Sequence, residues 1–283
     1  MNYGVPVHRP PEFASLNTWE SNACLLFWLR SRWATLLFVG MLVCFQLGRR
    51  TRQTEKHPKP SVEPKSDAIE AAVFGLLGLL LAFTFFGAAD RFDTRRALIV
   101  EEANAIGAGY LLVDLLPVEA QADVRKAFRN YVDSRLEFYR RLSHENEAEE
   151  EFALSEKLQK QIWNRTVTGS MAPGAHPDAG KLLLPALNSM IDTASTRKVA
   201  MKMHPPMIIF VMLFVFAFVC SLFVGRGVAR FKPDWLAMCI FAGVLALAVY
   251  VILDIEYPRF GFIRVDSFDQ VLVDVRAQMD DGK

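Results

Sequence analysis

The chain has 283 residues, a formal net charge of +1 and a hydrophobic content of 52%, and its mean hydropathy is positive. Soluble proteins of this size are seldom so apolar, so the composition predicts membrane-spanning segments. The net charge near zero argues against a nucleic-acid-binding protein, because such a protein needs an excess of basic residues.

The N-terminal segment, residues 1–23, is polar and lacks the early basic-then-apolar pattern of a cleavable signal peptide. Four apolar runs follow, and each predicts a transmembrane helix, because a bilayer core requires about 20 apolar residues in helical form. The predicted spans are residues 24–48, 69–89, 205–225 and 235–253. The first reaches this length only if Arg30 and Arg32 extend their charged ends to the membrane interface.

Residues 90–203, between the second and third spans, predict a helical bundle because apolar side chains recur there at steps of three and four. A helix is expected to begin near Pro117. The apolar stripes of three successive helices are Val124, Phe128, Tyr131, Val132, Leu136, Tyr139 and Leu142; Phe152, Leu158 and Ile162; and Leu183, Leu187, Met190 and Ala194. The predicted fold is an all-α integral membrane protein with four transmembrane helices and a helical bundle inserted between the second and third.

With four spans, the basic loops 49–68 and 226–234 share one side of the membrane. The N-terminal segment, the bundle and the C-terminal tail, residues 254–283, share the other. The short loops carry nine Lys and Arg residues in under thirty positions, and the opposite side carries ten close to the span ends. The density of basic residues favours a bundle outside the cytoplasm, whereas their number favours neither orientation. The chain is expected in the inner cell membrane with its orientation left open.

The sequence contains no motif typical of an enzyme, a nucleotide-binding loop or a metal site. Its four cysteines are not spaced as metal ligands, and we interpret them as small apolar packing residues. No enzymatic activity, metal ion or cofactor is predicted.

A band of charged residues follows the second span and is the candidate ionic layer at the membrane exit. Its members are Asp90, Arg91, Arg95, Arg96, Glu101 and Glu102. On a helix, Asp90, Ala97, Glu101 and Asn104 lie along one stripe, and Arg91, Arg95, Leu98 and Glu102 lie along the next. Asp93 and Arg96 are spaced to form an ion pair.

Two interpretations of this band remain open. The arginines fit a solvated helix start with local ion pairs. Glu101 and Glu102 instead interrupt a run that is otherwise apolar around the helix, which predicts buried carboxylates paired with arginines of a neighbouring helix or subunit. Such a buried layer is either packing or the vestibule of a pore.

Two sequence blocks combine an apolar span with a charged pattern after it. The first is the second span with the residues that follow it, at positions Ala89, Asp90, Arg91, Phe92 and Arg96. The second follows the fourth span, at positions Asp254, Glu256, Pro258, Gly261 and Asp266. Both blocks resemble segments of the bestrophin channels. Over residues 69–276 the chain is identified more closely as a member of the bacterial bestrophin-like family.

The resemblance implies a homo-oligomer, with the bestrophin pentamer as its pattern, in which the second span lines a narrow apolar neck. On that pattern Leu79 and Phe83 are the candidate neck residues, with Leu76 and Phe86 near the same face. The alternative for these side chains is ordinary contact with lipid or core. The run of acids that binds calcium in animal bestrophins is absent after Pro258, so no calcium site is implied.

Two functions are carried forward from the sequence. The first is an oligomeric channel for small ions, embedded in the lipid bilayer. The second is a non-conducting membrane scaffold or sensor whose bundle binds a protein partner. Nucleic acid is not an expected partner of either.

Overall fold

The computed structural model describes residues 16–54, 64–141, 145–229, 235–257 and 269–281. These ranges contain eight α-helices, one short 3₁₀ turn at Leu112–Leu115 and no strand. The helices are α1 (Leu16–Gln53), α2 (Pro64–Leu111), α3 (Val118–Arg140), α4 (Glu145–Ser170), α5 (Ala179–Lys202), α6 (Met207–Gly227), α7 (Trp235–Glu256) and α8 (Gln270–Asp281). Most of the predicted N-terminal segment, parts of both basic loops, and Leu142, Pro258, Gly261 and Asp266 lie outside the described residues.

Among the described residues, four helical segments are long and apolar enough to cross a membrane, in α1, α2, α6 and α7. Such helices suit a bilayer because every interior backbone amide and carbonyl is hydrogen-bonded within the helix. The part of α2 beyond its apolar run forms a bundle with α3, α4 and α5, which precede α6 in the chain. The predicted all-α membrane fold with an inserted bundle is therefore confirmed.

The helix that contains the second predicted span continues beyond its apolar run. Helix α2 continues without interruption for 48 residues, which corresponds to a length of about 70 Å. Helix α1 likewise runs to Gln53, and α2 already begins at Pro64, so both helices extend into the segment predicted as a basic loop. One rigid helix thus connects the membrane segment directly to the bundle.

The bundle buries the apolar stripes that the sequence predicts. On α3 the buried members include Val124, Phe128, Tyr131, Val132 and Tyr139, and Leu136 packs against them partly buried. Phe152, Leu158 and Ile162 of α4 and Leu183, Leu187, Met190 and Ala194 of α5 are also buried. Pro117 caps the start of α3 as predicted, because its fixed φ and missing N–H suit the first turn of a helix.

The C-terminal region, which the sequence left as a tail, contains α8. This helix packs against α2 and α3, where Leu272 and Met279 are buried in the core of the bundle. The Tyr110 hydroxyl donates a hydrogen bond to the carbonyl oxygen of Met279 at 3.0 Å. The chain therefore returns to the bundle after its fourth apolar helix.

In the membrane region, α1 packs chiefly against α6 and α7. Two glycines allow the backbones of α1 and α6 to meet. A Cβ atom at Gly48 would overlap the carbonyl oxygen of Leu222, and one at Gly225 would overlap the carbonyl oxygen of Phe45. Cys220 is buried on α6, consistent with its interpretation as a packing residue. Close packing of small residues is a main source of helix association in lipid.

We expect the substitution G225A to lower the free energy of unfolding by about 3 kcal/mol, because backbone atoms on both helices would have to separate. The matched control is G227A, two residues further along α6, where a Cβ atom would meet nothing within 4 Å. Thermal unfolding in mild detergent, followed by tryptophan fluorescence, measures both variants. Equal melting temperatures for G225A and G227A would contradict the close crossing.

Candidate functional site

One face of α2 is exposed along almost its whole length. Its residues are spaced by three or four positions, so they lie on one side of the helix. We call this face the α2 strip, and its members are Leu76, Leu79, Phe83, Phe86, Asp90, Thr94, Ala97, Glu101, Asn104, Ala108 and Leu111, all of them exposed. The candidate pore residues Leu76, Leu79, Phe83 and Phe86 therefore share one face that the other described residues leave open.

The opposite side of α2 packs against the protein. Leu77 and Ala88 are buried in the membrane region, and Ile99, Ala103 and Ile106 are buried further along the helix. The spacing predicted for the charged band is confirmed, since Asp90, Ala97, Glu101 and Asn104 are exposed together while Arg95, Leu98 and Glu102 are buried. The expected burial holds for Glu102, whereas Glu101 is exposed within the single chain. Consecutive residues of a helix point about 100° apart, so only Glu102 faces the bundle.

The structure divides the predicted ionic layer into two separate clusters. The first, the Glu256 cluster, surrounds a carboxylate at the end of α7 whose side chain is fully buried. Arg91 donates to Glu256 from Nε at 3.0 Å and from Nη2 at 2.7 Å. Arg95 Nη2 lies 3.4 Å from the other carboxylate oxygen. A buried carboxylate needs such partners, because the transfer of an unpaired charge from water into the protein costs several kcal/mol.

His204 completes the Glu256 cluster from the segment between α5 and α6. Its Nδ1 lies 3.0 Å from Glu256 Oε1, and its ring stacks on Tyr257 with centroids 4.7 Å apart. The carboxylate thereby connects α2, α7 and the α5–α6 junction at a single point.

Arg95 also binds the carbonyl groups at two helix ends. It donates to the backbone oxygens of Ala200 at 3.2 Å, Met203 at 2.8 Å and Glu256 at 2.7 Å. The last carbonyls of a helix have no partner within the helix and carry partial negative charge, so a guanidinium is well suited to them. Arg95 therefore ties the end of α5 and the end of α7 to α2.

The second, the Glu102 cluster, lies inside the bundle. Glu102 is fully buried and accepts hydrogen bonds from Arg135 Nε at 2.6 Å, Arg197 Nη1 at 2.6 Å and the Tyr139 hydroxyl at 2.9 Å. Arg197 also donates to Asp269, at 2.6 Å, just before α8. The predicted arginine partners of a buried carboxylate are thus confirmed for Glu102, and they come from neighbouring helices of the same chain.

Charge and aromatic contacts stabilise the ionised forms in the Glu102 cluster. Burial alone would raise the pKa of Glu102, but the charges and hydrogen bonds of Arg135 and Arg197 outweigh it and lower that pKa to about 2. Burial alone would lower the pKa of Arg135, but the charge of the Glu102 carboxylate raises it by more, so the pKa of Arg135 lies above its ordinary value. The Arg135 guanidinium also lies over the rings of Phe138 and Phe152, at 5.2 and 5.5 Å from their centroids.

The remaining members of the predicted layer belong to neither cluster. Arg96 pairs with Asp93 at 3.1 Å on the surface, as the spacing predicts. Asp90 and Glu101 are exposed on the α2 strip.

Sequence reasoning did not single out Glu256, His204, Arg135, Arg197 or Asp269 as site residues. The sequence does indicate that Arg135 is buried, because this residue stands four positions after Tyr131 and four before Tyr139, on the apolar face of α3. A charged residue in such a register indicates a buried ionic partner. Glu256 stood in the second block that resembles the bestrophins, without a role assigned to it, and His204, Arg197 and Asp269 follow only from the packing of distant segments.

The described helices define a multi-pass membrane protein in which one long helix leaves the apolar region and is held by two buried ionic clusters. No curated protein and no solved structure matches the chain. The family model of the Bestrophin-like domain matches residues 34–267. The chain therefore belongs to the bestrophin-like family, as the two sequence blocks predicted.

We expect E102Q to lower the free energy of unfolding by about 3 kcal/mol at neutral pH, since Arg135 and Arg197 would remain buried without a carboxylate. The ordinary pKa of 4.5 is depressed to about 2 in the folded protein. The stability contributed by ionised Glu102 is therefore complete above pH 4.5 and is lost as the pH falls towards about 2. Thermal unfolding of wild type and E102Q as a function of pH should show their difference shrinking over this window.

The matched control is E101Q, because Glu101 is the exposed neighbour on the same helix. It should unfold like the wild type at every pH. A difference between E102Q and the wild type that did not change between pH 5 and pH 2 would contradict the buried ionised carboxylate.

We expect R95Q to cost about 3 kcal/mol of stability, because it removes a buried partner of Glu256 and of three backbone carbonyls. R96Q, at the next position, should cost less than about 1 kcal/mol, because Arg96 is engaged in an exposed ion pair. Denaturation of both variants in the same detergent provides the comparison. Equal losses would show that the burial of Arg95 contributes nothing to stability.

Proposed function

We propose that the protein is a homo-oligomeric ion channel of the cell's inner membrane, in which the α2 strip of each copy faces a shared central axis. The observation that carries this proposal is the continuity of the strip. The same face of α2 is exposed in the apolar segment. It stays exposed over about six further helical turns, from Asp90 to Leu111, where α2 forms part of the bundle.

The apolar part of the strip supports a constriction. Leu76, Leu79, Phe83 and Phe86 are 46%, 51%, 67% and 72% exposed, so large side chains project from α2 without cover from the part of the chain that the structure describes. Around an axis, successive rings of such side chains would form a narrow apolar neck. Apolar necks of this kind gate ion flow by dewetting.

The Glu256 cluster supports a fixed orientation of this face. The side chains of Arg91 and Arg95 leave α2 about 100° and 140° around the helix from Asp90, and both bind Glu256. Rotation of α2 about its axis would break these buried contacts. A pore-lining surface requires this kind of rigid support.

Family membership supports the oligomer. In the bestrophins, which the chain resembles at Asp90–Phe92 and around Glu256, five copies arrange their second spans around a common axis. We carry this arrangement over as the pattern for the proposed oligomer, with the pentamer as the expected stoichiometry.

A second function, a non-conducting scaffold or sensor, is favoured by a different observation. At the end of the bundle farthest from the membrane segments, Leu111, Val118 and Met171 are 71%, 78% and 80% exposed. Exposed apolar residues on an extramembrane surface are typical of protein-binding sites. This function requires no central axis through α2.

Particle imaging in mild detergent separates the two functions. A ring of copies with α2 at its centre supports the channel, and a monomer, or a dimer with α2 at its periphery, supports the scaffold. Reconstitution into planar bilayers then tests conduction, and a well-folded ring that passes no ions under any voltage or pH would refute the channel.

We expect F83A to change the single-channel conductance substantially while leaving the melting temperature nearly unchanged, because Phe83 is 67% exposed within one chain. The matched control is L77A on the same helix, where a buried leucine is removed and a stability loss of about 3 kcal/mol follows. A loss of stability in F83A without an altered conductance would place Phe83 against a neighbouring helix instead.

A further inference from the structure

The charges on the α2 strip are of one sign. From Asp90 to Ala108 its members are Asp90, Thr94, Ala97, Glu101, Asn104 and Ala108. Two carboxylates, one hydroxyl and one amide are the only polar groups among these side chains, and no basic residue belongs to the strip. The sequence of α2 does not show that the strip is purely acidic, because three arginines are interspersed with the acidic residues between positions 90 and 102.

The structure turns two of those arginines away from the strip. The side chain of Arg95 is 7% exposed and that of Arg91 is 28% exposed, and both bind the buried Glu256 carboxylate. Glu256 therefore compensates one of their two positive charges on the protein side of α2, and neither arginine belongs to the strip. By contrast, Asp90 and Glu101 remain on the open side.

The third arginine is compensated in another way. Arg96 pairs with Asp93 at 3.1 Å, and its guanidinium lies 5.6 Å from the centre of the Phe92 ring. Arg96 projects about 120° around the helix from Asp90. The pair adds no net charge beside the strip.

We infer that the proposed pathway selects cations, with Asp90 and Glu101 as the residues that determine this preference. The inference rests on the proposed channel function. Each copy in a ring would contribute two carboxylates to the wider part of the pathway, next to the apolar neck. Rings of Asp and Glu side chains concentrate cations and exclude anions, and such fields raise local counter-ion concentrations tenfold or more.

Reversal potentials in a sodium chloride gradient test the inference in reconstituted protein. The wild type should prefer sodium over chloride, and the preference should weaken by about tenfold in the double variant D90N/E101Q. It should also weaken between 0.1 M and 1 M salt, because the screening length falls from about 10 Å to about 3 Å. The matched control is E156Q on the exposed surface of α4, which should retain the wild-type selectivity.

The outcomes of this experiment are distinguishable. Chloride preference in the wild type, or unchanged selectivity in D90N/E101Q, overturns the inference and leaves the channel standing. Absence of any current from a well-folded oligomer overturns the channel function itself, and cation permeation with it. Both substitutions preserve side-chain size at exposed positions, and an unchanged melting temperature verifies that the variants are folded.

A second measurement reads the electrostatic potential of the strip without requiring a current. Ala97 lies between Asp90 and Glu101 on the strip. In a variant with the four native cysteines replaced by alanine, A97C should react about tenfold faster with a positively charged methanethiosulfonate reagent than with a negatively charged one. Introducing D90N/E101Q into this variant should remove most of the difference. Equal rates for the two reagents on A97C would overturn the inference, whatever the protein conducts.

Discussion

The orientation of α2 about its own axis is the constraint on which the rest of the structure depends, and two buried carboxylates impose it. Glu256 holds Arg91 and Arg95 at the point where α2 leaves the apolar region. Three turns further on, Glu102 binds Arg135 and Arg197. Removing any of these partners would leave an uncompensated buried charge, which costs several kcal/mol. The same contacts decide which face of α2 stays open.

The two halves of the molecule are held together by different interactions because their surroundings differ. In the apolar half, α1 and α6 approach through Gly48 and Gly225, and packing at short distance provides the stability. The bundle is surrounded by water, so the hydrophobic effect favours burial of its apolar side chains. A large apolar core forms there among α2, α3, α4, α5 and α8. The ionic clusters lie within the bundle and at its boundary with the apolar half, and they join the two through a single continuous helix.

Much of the architecture was readable from periodicity. Apolar runs of bilayer length identified the spans, and steps of three and four residues identified the buried faces of α3, α4 and α5, because helix geometry alone relates sequence spacing to a face. The same geometry separated Asp90 and Glu101 from Arg95 and Glu102. At Glu101 the apolar neighbours on both sides in the sequence suggest burial, although the position lies on the open stripe of α2. Helix α8 is short, and its apolar residues, such as Leu272 and Met279, acquire a partner surface only when the bundle is assembled, so the sequence alone did not indicate it.

The sequence by itself determined the class of fold, the family, the stripes of α2 and the presence of a charged band after the second apolar run. Only the tertiary structure decided how the charges are paired. Glu256 lies 165 residues from Arg91 in the chain, and Glu102 lies 95 residues from Arg197. Local spacing predicts partners within one helix, such as Asp93 and Arg96, because their separation is set by the helix itself. Pairs between distant segments depend on how whole helices pack, and that is a property of the folded chain.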